Sequence, residues 1–253
     1  MALVNYSVAD GVAHIELNRP EAANAVDLPT SREFGAAVTA AETDDAVRVV
    51  LVTGAGKRFC AGGDVASMVA AGTDPASQTA YLQELADDLD GHFQRLAALA
   101  KPVVGAVQGA VAGAGVGLAL SCDLVVAQAG TKFVFAYPGV GLTPDCGVSW
   151  LLPRAVGQHR ALQFALLGRP LVAEEAREWG LATEVVEDAG TRAREIAVTL
   201  AAGPAQALGQ ARRLLRASAT STRAEAGAEE ARTIAAAVTG DEAQALLEAF
   251  TSR

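Results

Sequence analysis

Residues 47–53 and 103–107 are runs of β-branched and aliphatic side chains, broken only by Arg48 and Gly105, with no polar residue at every second position. A strand with one wet face alternates, so unbroken runs of this kind predict strands buried on both faces. Each run ends at glycine, in Gly54-Ala55-Gly56 and at Gly109. Between them, residues 78–100 carry Tyr81, Leu82, Leu85, Leu89, Phe93, Leu96 and Leu99 at helical spacing, and Lys101-Pro102 closes that helix. Buried strands alternating with helices restrict the chain to an α/β architecture.

The flanking segments extend this pattern. Residues 3–8 and 12–17 around Asp10-Gly11 read as a hairpin. Thr30 with Glu33 reads as a capping box opening a helix that buries Phe34, Val38 and Ala41. Further strands are expected at 123–127 and 132–135, with a helix starting between them and Gly113. From Pro153 onward the periodicity is helical, around Leu162, Phe164 and Leu166 and then over 174–179, 192–200, 205–217, 222–238 and 241–250. Packing must rely on small side chains, because only 5% of residues are aromatic while 51% are hydrophobic. With 19% of residues charged, disorder is excluded.

Several function classes are disfavoured on the same grounds. A formal net charge of −9, with no more than two adjacent Lys/Arg residues, repels nucleic acid. No apolar stretch reaches the ~18–20 residues that span a bilayer, so no membrane partner is expected. The N-terminus has no basic region leading into an apolar run, so no signal peptide is expected. Cys60, Cys122 and Cys146 form no paired motif, which points to a reduced, cytoplasmic compartment. His14, His92 and His159 are isolated, and no metal site is expected. The cluster Gly113-Ala114-Gly115-Val116-Gly117 suggests a dinucleotide loop, but its next acidic residue, Asp123, comes far too soon for that fingerprint.

Two glycine-rich turns carry more. Arg58-Phe59-Cys60-Ala61-Gly62-Gly63-Asp64 follows one buried strand, and the segment 108–115 follows the other. Each can present backbone N–H groups, the second at a helix N-terminus. Two donors converging on one oxygen suit the enolate of a thioester. Glycine at a strand–helix junction also serves tight packing alone.

Taken together, the motifs resemble the crotonase superfamily of enoyl-CoA hydratases and isomerases. The match rests on Asn-Arg-Pro-Glu-Ala-Ala-Asn-Ala at 18–25, Phe-Cys-Ala-Gly-Gly-Asp at 59–64, the turn at 109–117 leading into Ser-Cys-Asp at 121–123, and Leu-Leu-Pro-Arg at 151–154. The resemblance implies a ββα spiral acyl-CoA-binding core over 1–195 and a helical C-terminal trimerisation region over 196–253, assembled as a trimer or a dimer of trimers. It implies oxyanion donors at Ala61 and Ala114, and substrate contacts from Ala23, Ala25, Cys60, Gly62, Gly63, Asp64 and Gly113. It implies no cofactor beyond the coenzyme A that the substrate brings. The two glutamates of the family's hydratases fall on Gly117 and Tyr137, so neither is present.

One acid remains in that neighbourhood. Gly141-Leu142-Thr143-Pro144-Asp145-Cys146-Gly147 resembles the segment in which dienoyl-CoA and epoxyphenylacetyl-CoA isomerases place a catalytic Asp. A single carboxylate can take a proton from one carbon and return it to another while the donors hold the dienolate. Otherwise Asp145 is a solvated loop residue or an N-cap. Tyr137 is expected to line the acyl pocket or orient the substrate; Asp64 to fix its loop; Asp123 to be structural; and Cys60 and Cys146 to be small core residues. The leading reading is an acyl-CoA isomerase. The alternatives are a hydratase with atypical acid/base residues and a degenerate acyl-CoA-binding protein. The family's basic C-terminal contact is reduced to Arg253 or is missing.

Overall fold

The computed structural model describes residues 2–252; Arg253 lies outside the described residues. The chain begins with strands β1 (Val4–Ala9) and β2 (Val12–Leu17), helix α1 (Leu28–Thr43), strand β3 (Val49–Gly54), and helices α2 (Val65–Ala70) and α3 (Pro75–Ala98). It continues through β4 (Val103–Val107), β5 (Ala110–Ala112), α4 (Ala114–Ser121), β6 (Leu124–Gln128), β7 (Lys132–Val134), α5 (Val148–Val156) and α6 (Gln158–Leu167). The last part holds β8 (Leu171–Val172), α7 (Ala173–Trp179), β9 (Glu184–Val186), α8 (Ala189–Ala202), α9 (Ala205–Ala217), α10 (Arg223–Ala237) and α11 (Asp241–Thr251). Among the described residues, no helix is long and apolar enough to cross a membrane.

The larger sheet has the order β1-β2-β3-β4-β6-β9, antiparallel at the β1–β2 hairpin and parallel elsewhere. As the unbroken runs require, β3 and β4 lie inside it and are buried on both faces. Val50 and Val52 enter the main core with Phe34, Phe93 and Leu96, while Val49 and Leu51 face the other way. On that second face sits α8, through Ala189, Ala193, Ala197 and Ala201. Their four-residue spacing makes one smooth helical stripe, and the missing bulk lets the helix approach the sheet closely. A smaller sheet, β5-β7-β8, carries the second glycine-rich turn.

One local expectation fails. Thr30 and Glu33 do not form the capping box; Asp27 is the N-cap of α1, accepting from Thr30 N at 2.9 Å. Glu33 instead accepts the N–H groups of Leu3 and Val4 at 2.8 and 3.0 Å, where β1 begins. An unpaired strand end competes for the same carboxylate and wins it.

Asp123 is structural, as expected. It immediately precedes β6, accepts Val103 N at 2.7 Å, and pairs with Arg216 at 2.8 Å and with the buried Arg212. Both arginines come from α9, and Arg212 also donates to the carbonyls of Leu96 and Leu99. These contacts tie the C-terminal helices to the sheet and to the end of α3. Arg212→Ala leaves two carbonyls without that partner, while Asp123 keeps Arg216. It is expected to cost about 1–3 kcal/mol, read from the denaturant midpoint.

Candidate active site

The turn at 58–64 is stitched into place from both sides. Cys60 bridges to Val111 of β5, and Val26 bridges to Gly63. Its amides are spent in order. Cys60 N donates to Ala110 O at 3.2 Å, Ala61 N to Ala23 O at 3.1 Å, and Asp64 N to Val26 O at 2.9 Å. Gly62 N reaches Cys60 Sγ at 3.5 Å. Among the described residues, Gly63 N has no acceptor. The expectation of an open donor at Ala61 is therefore corrected: that N–H is taken, and the open one belongs to Gly63.

The second turn ends β5 and opens α4. Gly113 stands at φ 52° and ψ −122°, a conformation open to glycine, and its N–H donates to Val134 O at 3.2 Å. Ala114 is then the first helical residue, where an N–H has no intrahelical acceptor. It has none elsewhere among the described residues. Gly62 lets the turns meet, since a Cβ there would stand 3.1 Å from Ala112 O and 3.5 Å from Ala114 N.

Gly63 and Ala114 both line a cavity of about 520 Å³, together with Tyr137 and Asp145. Ala61, Gly62 and Gly113 also border it; Leu82 of α3 supplies apolar wall, as do Met68 and Leu142, which sequence periodicity did not single out. Asp145 is the one carboxylate in this lining among the described residues. A larger cavity of about 800 Å³ lies against α8, and neither Gly63 nor Ala114 lines it.

Ala23, Ala25, Cys60 and Asp64 do not line the cavity; they support it. The Ala23 and Ala25 carbonyls accept from Ala61 N and from the Arg19 guanidinium. Asp64 caps α2 through Ser67 N at 3.2 Å and pairs with Arg19 at 2.9 Å. Burial pushes its carboxyl up, but Ser67 and Arg19 outweigh this and hold it below the ordinary range. Asp64 fixes the loop. Burial pushes the Cys60 thiol up to about 11, so it is neutral at pH 7 and packs as a small core group. Cys146 is likewise buried, with its thiol raised by burial and by Asp145.

Asp145 is not an N-cap. The residue capping α5 is Gly147, with no side-chain bond, and the carboxylate points instead at Tyr137, whose hydroxyl donates to Oδ1 at 2.8 Å. Tyr137 is 8% exposed, and its phenol is driven far above its usual value, first by burial and then by the Asp145 charge. It is a standing donor.

Position 117 is closed as well as empty. A Cβ there would meet Cys146 O at 2.9 Å and Cys146 Cβ at 3.1 Å. The loop that brings Asp145 into the cavity occupies the space a side chain at 117 would need. Gly117→Glu is therefore expected to gain no crotonyl-CoA hydration and to displace this loop, costing about 1–3 kcal/mol in a thermal melt. An appearance of hydratase activity would show that the position is open.

Residues 7–253 match the family model described as Enoyl-CoA hydratase/isomerase. The chain is 40% identical to the 1,2-epoxyphenylacetyl-CoA isomerase of Escherichia coli K12, over 88% of this chain and 85% of that protein. It is 39% identical to the trans-2-decenoyl-[acyl-carrier-protein] isomerase of Streptococcus mutans, over 72% of this chain and 68% of that protein. Among solved structures, an enoyl-CoA hydratase from Polaromonas sp. JS666 superimposes with a TM-score of 0.91 at 30% identity, covering 98% of this chain and 96% of that one.

Proposed function

Since the chain belongs to the enoyl-CoA hydratase/isomerase family, whose fold it shares, we propose that it is an acyl-CoA isomerase using Asp145 as its single base. The observation carrying this is the cavity lining: two open backbone donors and one carboxylate, with a tyrosine at 137 and no room for a side chain at 117. The thioester oxygen accepts from Gly63 N and Ala114 N. Asp145 takes a proton from the carbon next to or beyond the carbonyl, and the electron pair flows to the thioester oxygen. The donors stabilise that charge, and the α4 dipole adds to them. Asp145 then returns the proton to a different carbon, and the double bond has moved.

The reading needs no metal or redox cofactor, and coenzyme A enters with the substrate. The E. coli relative named for an epoxyphenylacetyl thioester supports ring-bearing substrates alongside linear ones. The C-terminal helices are assigned to self-association in a trimer or a pair of trimers, since Leu215, Ile234 and Phe250 are 75%, 72% and 77% exposed. Sedimentation of the intact chain tests this, and a monomer would overturn it. The activity is tested on a panel of unsaturated and aromatic acyl-CoAs in D₂O. Double-bond migration is the expected result. Hydration of crotonyl-CoA without migration would establish a hydratase instead, and neither reaction nor exchange would leave a binding protein.

A further inference from the structure

We propose that Tyr137 is the positioning residue for the base: its hydroxyl occupies Oδ1 of Asp145, so Oδ2 alone carries the proton between substrate carbons. This rests on the isomerase reading above. Asp145 stands on an irregular loop with no cap to hold its side chain, and the bond from Tyr137 at 2.8 Å is what orients it.

The phenol is itself held from behind. Phe135 packs edge-on to the Tyr137 ring at 5.2 Å, and Phe164 of α6 packs edge-on to Phe135 at 5.9 Å. The ring also lies over the donor turn, since a Cβ on Gly113 would stand 4.0 Å from its Cε1 and Cζ. One side chain therefore touches both halves of the site. It spaces the carboxylate from the N–H groups that receive the thioester oxygen. The groups acting on this corner are Tyr137, the Cys146 thiol beside the carboxylate, and Asp90 from α3, which faces the same loop. With its phenol protonated throughout the neutral range, Tyr137 donates to the carboxylate form and leaves the other oxygen free to act.

The proton balance is closed. A C–H bond breaks as the Oδ2–H bond forms, with the electron pair on the thioester oxygen; the Oδ2–H bond then breaks as a C–H bond forms at the new carbon. One oxygen acting from one side makes the transfer suprafacial. It also favours return of the same proton over exchange with water.

The test is Tyr137→Phe, with 3-fluorotyrosine at 137 as the shape-preserving partner. For the Phe variant, kcat is expected to fall by about 10–10²-fold with KM within about twofold, because a misplaced base costs rate rather than binding. The acidic limb of the kcat/KM profile is expected to move to higher pH, since a carboxylate that loses a donor holds its proton more tightly. Intramolecular transfer of label from a deuterated substrate should fall. Fluorotyrosine, a stronger donor in the same shape, should move the limb to lower pH, which keeps the proposal testable if the Phe variant does not fold. An unmoved limb with wild-type kcat and label transfer overturns the positioning role alone. A wild-type protein that moves no double bond overturns the isomerase reading and this inference with it.

Discussion

Replacing Asp145 with Asn is expected to lower double-bond migration by roughly 10³–10⁴-fold while the Kd for acyl-CoA stays within about threefold. The asymmetry follows from the geometry. Asparagine keeps the shape and can still meet the Tyr137 hydroxyl through its carbonyl oxygen, so the loop over 142–147 and the cavity wall persist. What it lacks is an oxygen able to hold a proton between the two half-reactions. The cavity lining has no second carboxylate to take over among the described residues. Steady-state kinetics with an unsaturated acyl-CoA, together with calorimetric binding of the same ligand, would measure both halves.

The second large effect is expected at a residue whose side chain does no chemistry. Ala114→Pro removes the open N–H and little else of the fold. Ala114 is the first residue of α4, where proline fits the backbone and no intrahelical bond is lost. The preceding residue is Gly113, which carries no Cβ to clash with the new ring. Losing one such donor costs about 10²–10³-fold in kcat, and the proline ring also fills the space where the thioester oxygen would sit. A loss of at least that size is expected, with the thermal midpoint nearly unchanged. A variant retaining full activity would show that α4 does not hold the oxygen.

Much of this architecture is visible in the residues because the relevant signals are local. The double burial of β3 and β4, the long α3 and the small-residue packing all follow from runs and periods in the chain. Both turns and Asp145 are legible there as well. What is not legible is decided by contacts between distant segments. Whether Ala61 or Gly63 keeps a free N–H depends on where the Ala23 carbonyl lands, and no spacing within 58–64 reveals that. The same holds for Glu33, drawn away from α1 by the end of β1. Strands of two or three residues, such as β8 and β9, are too short to show a period. The closure of position 117 by the Cys146 backbone is likewise a tertiary fact. It explains why an absent glutamate and a present Asp145 belong to one arrangement.

The isomerase assignment stands or falls on whether one carboxylate moves the proton. Wild-type protein and Asp145→Asn would be incubated in D₂O with the same unsaturated acyl-CoA, and NMR would follow deuterium at the α- and γ-carbons as the double bond shifts. The wild type is expected to show migration, with deuterium entering at those carbons only in turnovers where the proton on Asp145 exchanges with solvent, and the variant neither migration nor exchange. Migration or exchange at the wild-type rate in the variant would contradict the assignment of Asp145 as the base.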